Sequence, residues 1–239
     1  MTTPHSSWAE NYDLIYTESF GGFYDALTHK TLDIIKNTVS VPAKIVDFGA
    51  GTGRLSLPLS LYGYEVLVVE PCLEMLIQLS QKYLERDLEV VNFNGKMQEF
   101  EVQSDFDMAL CVFTVLLYLL DENELRKSIE VAYGALKIGG YLLIDIPSRD
   151  IFRDFKVNTE VIKRSVNVSY VHDDIYSYQE NTEVIKNGES FNYLDNFKIK
   201  YWDKNTVLNC LSECGFDLIK DLSDEYSGTG SSYYIMQKL

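Results

Sequence analysis

The stretch Ile45-Val-Asp-Phe-Gly-Ala-Gly-Thr-Gly-Arg-Leu-Ser-Leu-Pro-Leu59 decides how the rest of the chain is read. Lys44 to Phe48 reads as a short buried strand, and Arg54 to Leu61 carries leucines at helical spacing. Between them Gly49, Gly51 and Gly53 alternate through a tight turn. A strand that enters a glycine turn and leaves as a helix makes a ligand cradle. Glycine lets a ligand approach the backbone, and a helix start offers unpaired N–H groups. Tyr64 to Val69 reads as a second strand with Glu70 at its tip. A carboxylate there suits a two-pronged hydrogen bond to the 2′- and 3′-hydroxyls of a ribose.

Two ligand families use such a cradle. The dinucleotide fingerprint is G-x-G-x-x-G, with phosphates on the helix N-terminus. Here the spacing is G-x-G-x-G, preceded by Asp47. Asp47-Phe-Gly49-Ala-Gly51-Thr-Gly53 followed by Glu70 resembles the first two motifs of class I S-adenosylmethionine-dependent methyltransferases. The resemblance implies S-adenosylmethionine as cofactor. Asp47, Gly49, Ala50, Gly51, Gly53 and Arg54 would lie about its methionyl moiety, with Glu70 and the adjoining Pro71 at the ribose. A glycine-rich turn in an unrelated α/β domain is the alternative.

A chain of 239 residues, 46% hydrophobic and 24% charged, holds one large α/β domain, with or without an insertion. The net charge of −15 argues against nucleic-acid binding, which needs a basic footprint, and disfavours anionic membranes. It is compatible with a neutral or cationic substrate. Met1 to Glu10 is polar, unlike a secretory leader, and no apolar run approaches the ~18 residues of a membrane span. The four cysteines show no framework spacing. Cys210 and Cys214, one helical turn apart, read as a buried reduced pair rather than half a metal site. A cytoplasmic, metal-free protein is expected.

Trp8 to Tyr16 precedes a helical segment from Phe23 to Lys36, with Gly21-Gly22 between them. By resemblance, the Tyr-Asp-x-x-Tyr element folds over the cofactor, and Tyr12, Tyr16 or Tyr24 reaches the methionyl carboxylate or the transferring methyl. Packing residues of an amphipathic helix are the alternative. Pro71 to Leu84 reads as a helix, with Met75 near the adenine by resemblance or else in the core, and Leu88 to Phe93 as a third strand. Gly95-Lys96-Met97-Gln98-Glu99-Phe100 resembles the family's Gly-Asp-Met-x-x-Phe turn, in which the aspartate caps the adenine amino group. Lys96 departs from that pattern, since a lysine only donates. The capping contact then falls to Gln98, a backbone carbonyl or water, while a backbone contact at Met97 survives. Asp105 to Phe113 reads as the fourth strand, and the family places the methyl acceptor at Cys111-Val-Phe-Thr-Val-Leu-Leu-Tyr118. Cys111 and Val112 count with the cofactor contacts. Asp121 can cap a helix from Glu122 to Lys137 ended by Gly139-Gly140, and Tyr141 to Ile146 gives a fifth strand.

The rhythm then changes. Val166, Val168 and Tyr170 alternate, as do Phe191 through Tyr201, and Asn187-Gly188 is a hairpin turn of the favoured kind. Asp203 caps a last helix through Cys214, Gly215 terminates it, and Phe216–Leu222 and Tyr233–Met236 are closing strands. The fold expected is α/β: a Rossmann-like class I methyltransferase sheet, mostly parallel with an antiparallel last strand, plus an antiparallel β insertion after the fifth strand. Residues 1–150 and 202–239 would form the core, with 1–40 covering the cofactor. Residues 151–201 would form the insertion, on the acceptor side or at a homodimer contact.

As a whole the chain resembles the nucleotide-sugar amine N-methyltransferases, relatives of the glycine N-methyltransferase group. There a histidine or tyrosine facing the acceptor occupies the place of Tyr118. Transfer from a sulfonium is mainly a matter of placing the nucleophile, which a neutral amine does without a base. Tyr118 and Tyr16 are the candidate catalytic residues, and a small molecule is the expected acceptor. His172 is either a base or a partly exposed strand histidine. Lack of an obvious base favours nitrogen over oxygen; an O-methyltransferase or a catalytically silent S-adenosylmethionine-binding module are the alternatives.

Overall fold

Residues 3–102 and 104–239 are described in the computed structural model, so the first two positions of the N-terminal segment lie outside it. A 3-10 turn at Ser6–Asn11 leads into helices α1 (Tyr12–Phe20) and α2 (Gly22–Thr38). Strand β1 (Lys44–Phe48) then opens the sheet, followed by α3 (Ser56–Leu61), β2 (Glu65–Glu70), α4 (Leu73–Leu84) and β3 (Val91–Asn94). The chain crosses back to β4 (Phe106–Cys111), a 3-10 turn at Val115–Tyr118, α5 (Glu122–Ala135) and β5 (Leu136–Pro147).

A second sheet follows, of β6 (Phe155–Asn158), β7 (Ile162–His172), β8 (Ile175–Lys186) and β9 (Glu189–Lys200). Helix α6 (Lys204–Cys214) and strands β10 (Phe216–Asp221) and β11 (Ser231–Lys238) return to the first. That first sheet has seven strands in the order β10-β11-β5-β4-β1-β2-β3. β1 to β5 pair in parallel, and β11 runs antiparallel to both neighbours. The strand order reverses between β1 and β4, the place where open α/β sheets bind ligands at the carboxyl ends.

The pleat of β1 sorts its side chains. Val46 and Phe48 enter the core under α5 and α6, and Ile45 enters the one under α2, α3 and α4. Asp47, the carboxylate of this strand, is buried. The Asp121 carboxylate accepts the Glu124 N–H at the start of α5 (2.9 Å), and Asp203 accepts from Asn205 and Thr206 at the start of α6. Gly215 ends α6 at φ 105°.

Several boundaries differ from the sequence reading. Helix α3 starts at Ser56 and β3 at Val91. β4 stops at Cys111, because Phe113 and Thr114 turn to φ 65° and 71° and Asp145 of β5 accepts the Thr114 N–H (3.0 Å). Helix α5 ends at Ala135, so Gly139-Gly140 does not terminate it. The pair lies in a bulge of β5, between Leu136 opposite Phe106 and Tyr141 opposite Met108.

β6 to β9 form a four-stranded antiparallel sheet with Asn187 (φ 53°) and Gly188 (φ 81°) at its last hairpin. Its inner face packs Ile162 and Val184 against Trp8 and Ile15, so the N-terminal segment is clamped by this second sheet. Buried in that layer, Arg164 donates from Nε and Nη2 to Glu180 (2.8 and 3.2 Å), and Thr182 also donates to Glu180 (3.0 Å). Among the described residues no helix is long and apolar enough to cross a membrane.

Candidate functional site

The cradle is assembled at the carboxyl ends of β1, β2 and β4. Gly49 N–H donates to the Val69 carbonyl (2.8 Å), which pins the glycine turn to β2. The three glycines then do different work. A Cβ on Gly49 would meet Val115 Cγ2 at 2.6 Å, and one on Gly53 would meet Leu79 at 3.0 Å, so both serve packing. A Cβ on Gly51 would point into open space, and its φ of +57° suits glycine. Gly51 is the turn residue that leaves ligand room.

Glu70 is buried, with one carboxylate oxygen accepting the Gly51 N–H and the other the Cys72 N–H, both at 2.9 Å. Burial raises its pKa and these two N–H groups pull it back. Each oxygen keeps lone-pair capacity for a further donor. Asp47 is pushed up to about 7 by burial, partly offset by Arg54. The Arg54 guanidinium stacks on Phe113 (3.0 Å to the ring centroid) and faces Tyr24 (4.5 Å), and its Nη1 donates to Thr28 (2.8 Å). Tyr12, Tyr24, Asp47, Ala50, Gly51 and Val112 are among the residues lining a pocket of about 60 Å³. A larger groove of about 330 Å³ lies between α4 and the β3 edge, but no ionisable side chain lines it.

The other sequence-predicted cofactor residues spread out from this pocket. Cys111 is buried beside Val112, and its burial holds the thiol protonated. Pro71 is exposed, and its carbonyl accepts from Asn94 (3.3 Å). Met75 is buried against Ala9, Cys72 and Tyr12, away from open space. Lys96 turns outward, its ammonium 3.9 Å from Glu124, while its backbone N–H donates to Glu99 (2.9 Å). Met97 is buried and Gln98 half-buried in the same turn.

Beyond Tyr12 an aromatic wall continues through residues that do not line this pocket. Trp8, Tyr12 and Tyr16 stack in series, with centroids 5.4 and 4.3 Å apart, and Tyr16 lies over Arg164 (5.0 Å). Tyr178 of β8 stacks on Phe197 of β9 (4.8 Å), and Phe197 meets Tyr118 (5.8 Å). Burial, with the neighbouring Tyr16 and Tyr178, pushes the Tyr118 phenol well above its ordinary range. The residue as a whole is 37% exposed, while its hydroxyl meets the His5 ring. Tyr176 lies farther along β8, against Phe152 and Arg149. His172 is exposed at the β7–β8 turn beside Asp173 and faces no part of the pocket.

Two features escaped the sequence reading. Asp13 of α1 accepts from Thr52 of the glycine turn (2.6 Å) and pairs with Lys82 of α4, whose ammonium also donates to the Thr52 carbonyl (2.8 Å). The N-terminal cover is thereby clasped to the cradle. The second feature is His5, whose Nε2 lies 2.8 Å from the Tyr118 hydroxyl. No spacing rule joins residues 5 and 118; only the folded arm does.

Residues 45–140 match the family model described as a methyltransferase domain. A protein of Geobacillus sp. (strain WCH70) named "Putative methyltransferase" is 32% identical over 161 residues, covering 61% of this chain and 65% of that protein. The glycine/sarcosine N-methyltransferase of Aphanothece halophytica is 27% identical over 113 residues, 46% of this chain and 43% of that one. The chain thus matches less than two thirds of the length of these curated relatives. In fold it is similar to an S-adenosylmethionine-dependent methyltransferase from Clostridium acetobutylicum ATCC 824, with a TM-score of 0.83 at 18% identity over 96% of this chain and 98% of that one.

Proposed function

We propose, from the premise that this chain is a class I methyltransferase, that it moves a methyl group from S-adenosylmethionine to a nitrogen of a small molecule, such as an amino sugar or amino acid. The residues present fit the cofactor. Gly51 leaves the space a Cβ would fill, Glu70 keeps acceptor capacity for a ribose, and Arg54 is a cation of the right sign for a carboxylate. S-adenosylmethionine supplies, when bound, a methyl group already activated on a sulfonium. A ligand of that size needs several hundred Å³, more than the about 60 Å³ open here, so Arg54 on Phe113 and the tyrosine cover clasped by Asp13 would have to give way to it.

The observation that carries the nitrogen reading is the state of the side chains around Tyr118. The Tyr118 phenol is held protonated, and burial with the charge of Arg164 pushes His5 down to about 3. Glu180 is engaged by Arg164 and Thr182. None of these is a strong base, which a hydroxyl acceptor needs and a neutral amine does not. The glycine/sarcosine N-methyltransferase relative supports the same choice. What the wall does offer is exclusion of water and orientation of the nucleophile.

A transfer screen with tritium-labelled S-adenosylmethionine over amines, hydroxyls and carboxylates tests this. Label in amine products alone is expected; label in an ester or ether, or in nothing, overturns it. The exposed Leu194 on the outer face of β9 offers a homodimer contact, and light scattering that shows a monomer at all accessible concentrations removes that part of the reading.

A further inference from the structure

His5 holds a backbone conformation uncommon outside glycine, with φ 67°. Asp195 of β9 accounts for it: Oδ2 accepts the His5 backbone N–H at 2.5 Å, and Oδ1 accepts the Asn196 N–H at 3.0 Å. Strain of this kind persists only where the surroundings over-determine it. The imidazole is 11% exposed and enclosed edge-on by Trp8, Tyr12, Phe197 and Tyr118.

A neutral imidazole carries one donor and one acceptor, and its tautomer follows from what each nitrogen faces. Nδ1 faces Asp195 Oδ2 at 3.8 Å and has no hydrogen-bond partner among the described residues. A carboxylate accepts and does not donate, so the ring proton belongs on Nδ1. Nε2, 2.8 Å from the Tyr118 hydroxyl, is then the acceptor. With its proton committed to His5, the Tyr118 oxygen presents only lone pairs to its other side.

We propose that His5, oriented by Asp195, is a positioning residue that fixes the Tyr118 hydroxyl as a hydrogen-bond acceptor toward the incoming nucleophile. The inference rests on the reading that an amine is methylated, and it deepens that reading. A primary or secondary amine can donate N–H to Tyr118 while its lone pair points at the methyl group. A tertiary amine has no N–H to donate, so its methylation should be about tenfold slower and the tertiary amine accumulates. The nitrogen lone pair would form the N–C bond as the C–S bond breaks toward sulfur; the donated proton stays on nitrogen, the phenol loses none, and the methylated ammonium gives up its proton to water after release.

Nuclear magnetic resonance of the full chain labelled with ¹⁵N-histidine tests the geometry without any substrate. His5 should show the Nδ1–H tautomer and stay neutral from pH 5 to pH 8. Tyr118→Phe should move the Nε2 resonance and leave Nδ1 nearly in place. The titratable or charged groups facing the ring are Asp195 from β9, Tyr12 from α1, Tyr118 from the 3-10 turn and Arg164 from β7, and the variant removes only one. A proton on Nε2, or titration of His5 within that range, overturns the inference. With an amine substrate from the transfer screen, His5→Phe should lower kcat about tenfold, the size of one lost hydrogen bond, and leave S-adenosylmethionine affinity within about twofold. His5→Gln, whose amide oxygen can accept, should recover part of that loss, and adding Tyr118→Phe to His5→Phe should cost nothing further. Additive losses, unchanged turnover, or a tertiary amine methylated as fast as a secondary one contradict it. A hydroxyl or carboxylate emerging as the substrate instead refutes the nitrogen reading while leaving the resonance result intact.

Discussion

The two walls of the cleft are built at different ranges along the chain. In the cradle, Gly51 and Glu70 meet across 19 residues, through one turn and the strand after the next helix. On the aromatic wall, His5 reaches across 113 residues to Tyr118 and 190 to Asp195. The cradle works mainly through backbone: N–H groups, a glycine without a side chain, a carboxylate at a strand tip. The opposite wall works through side chains brought in by an arm and a second sheet. A ligand common to many proteins suits the first construction, and a particular acceptor suits the second.

The largest expected effect tests whether the aromatic wall is also a structural unit. Glu180→Ala leaves the Arg164 guanidinium buried without its two-pronged partner, and an uncompensated buried charge of this kind costs about 3–5 kcal/mol. Urea denaturation should register that loss, and an unchanged midpoint would mean the pair does not hold this wall. On the cradle side, Gly51→Val should weaken S-adenosylmethionine binding at least ~100-fold, about 2.7 kcal/mol, since the new side chain enters ligand space from a φ few residues adopt. Calorimetric affinity near the parent's would show that the cleft does not lie over that residue.

A pH experiment separates the walls further. Asp47 is raised to about 7 in the folded state, far above its unfolded value, so the native state holds its proton more tightly. Its stabilising contribution is therefore complete below about pH 4 and lost as pH rises toward 7. Asp47→Asn should melt higher than the parent at pH 8, by about 2 kcal/mol once the loss of Arg54's partner is counted, with the gap closing by pH 4. An equal gap at both values would show that Asp47 does not titrate as assigned. The smallest effect belongs to the aromatic wall. Tyr118→Phe should reduce turnover about tenfold and leave cofactor affinity within about twofold. Normal turnover, or joint loss of cofactor and acceptor binding, would contradict its assignment.

This difference in range also explains what the sequence disclosed. β1, the hairpin at Asn187-Gly188 and the caps at Asp121 and Asp203 follow from local periodicity and turn chemistry, and they stand where the residues indicate. The end of β4 was not legible, since Asp145 takes the Thr114 N–H from another strand. Neither was the division of labour among Gly49, Gly51 and Gly53, which depends on Val115 and Leu79 packing over the turn. Asp13 and His5 carry no motif that predicts their partners, so the cover's clasp and the environment of Tyr118 emerged only from the fold. Tyr12, Tyr24 and Val112 gather at the pocket; Tyr16 and Tyr118 are not among the residues that line it, and the Lys96 ammonium points to Glu124.

The account stands on S-adenosylmethionine binding in the cradle with Glu70 at its ribose. Isothermal titration of the parent chain and of Glu70→Ala with S-adenosylmethionine measures this directly. A charge-assisted hydrogen bond is worth ~1.5–3 kcal/mol, so micromolar binding by the parent should weaken at least about tenfold in the variant. No binding by the parent, or equal affinity in the two, would contradict the account.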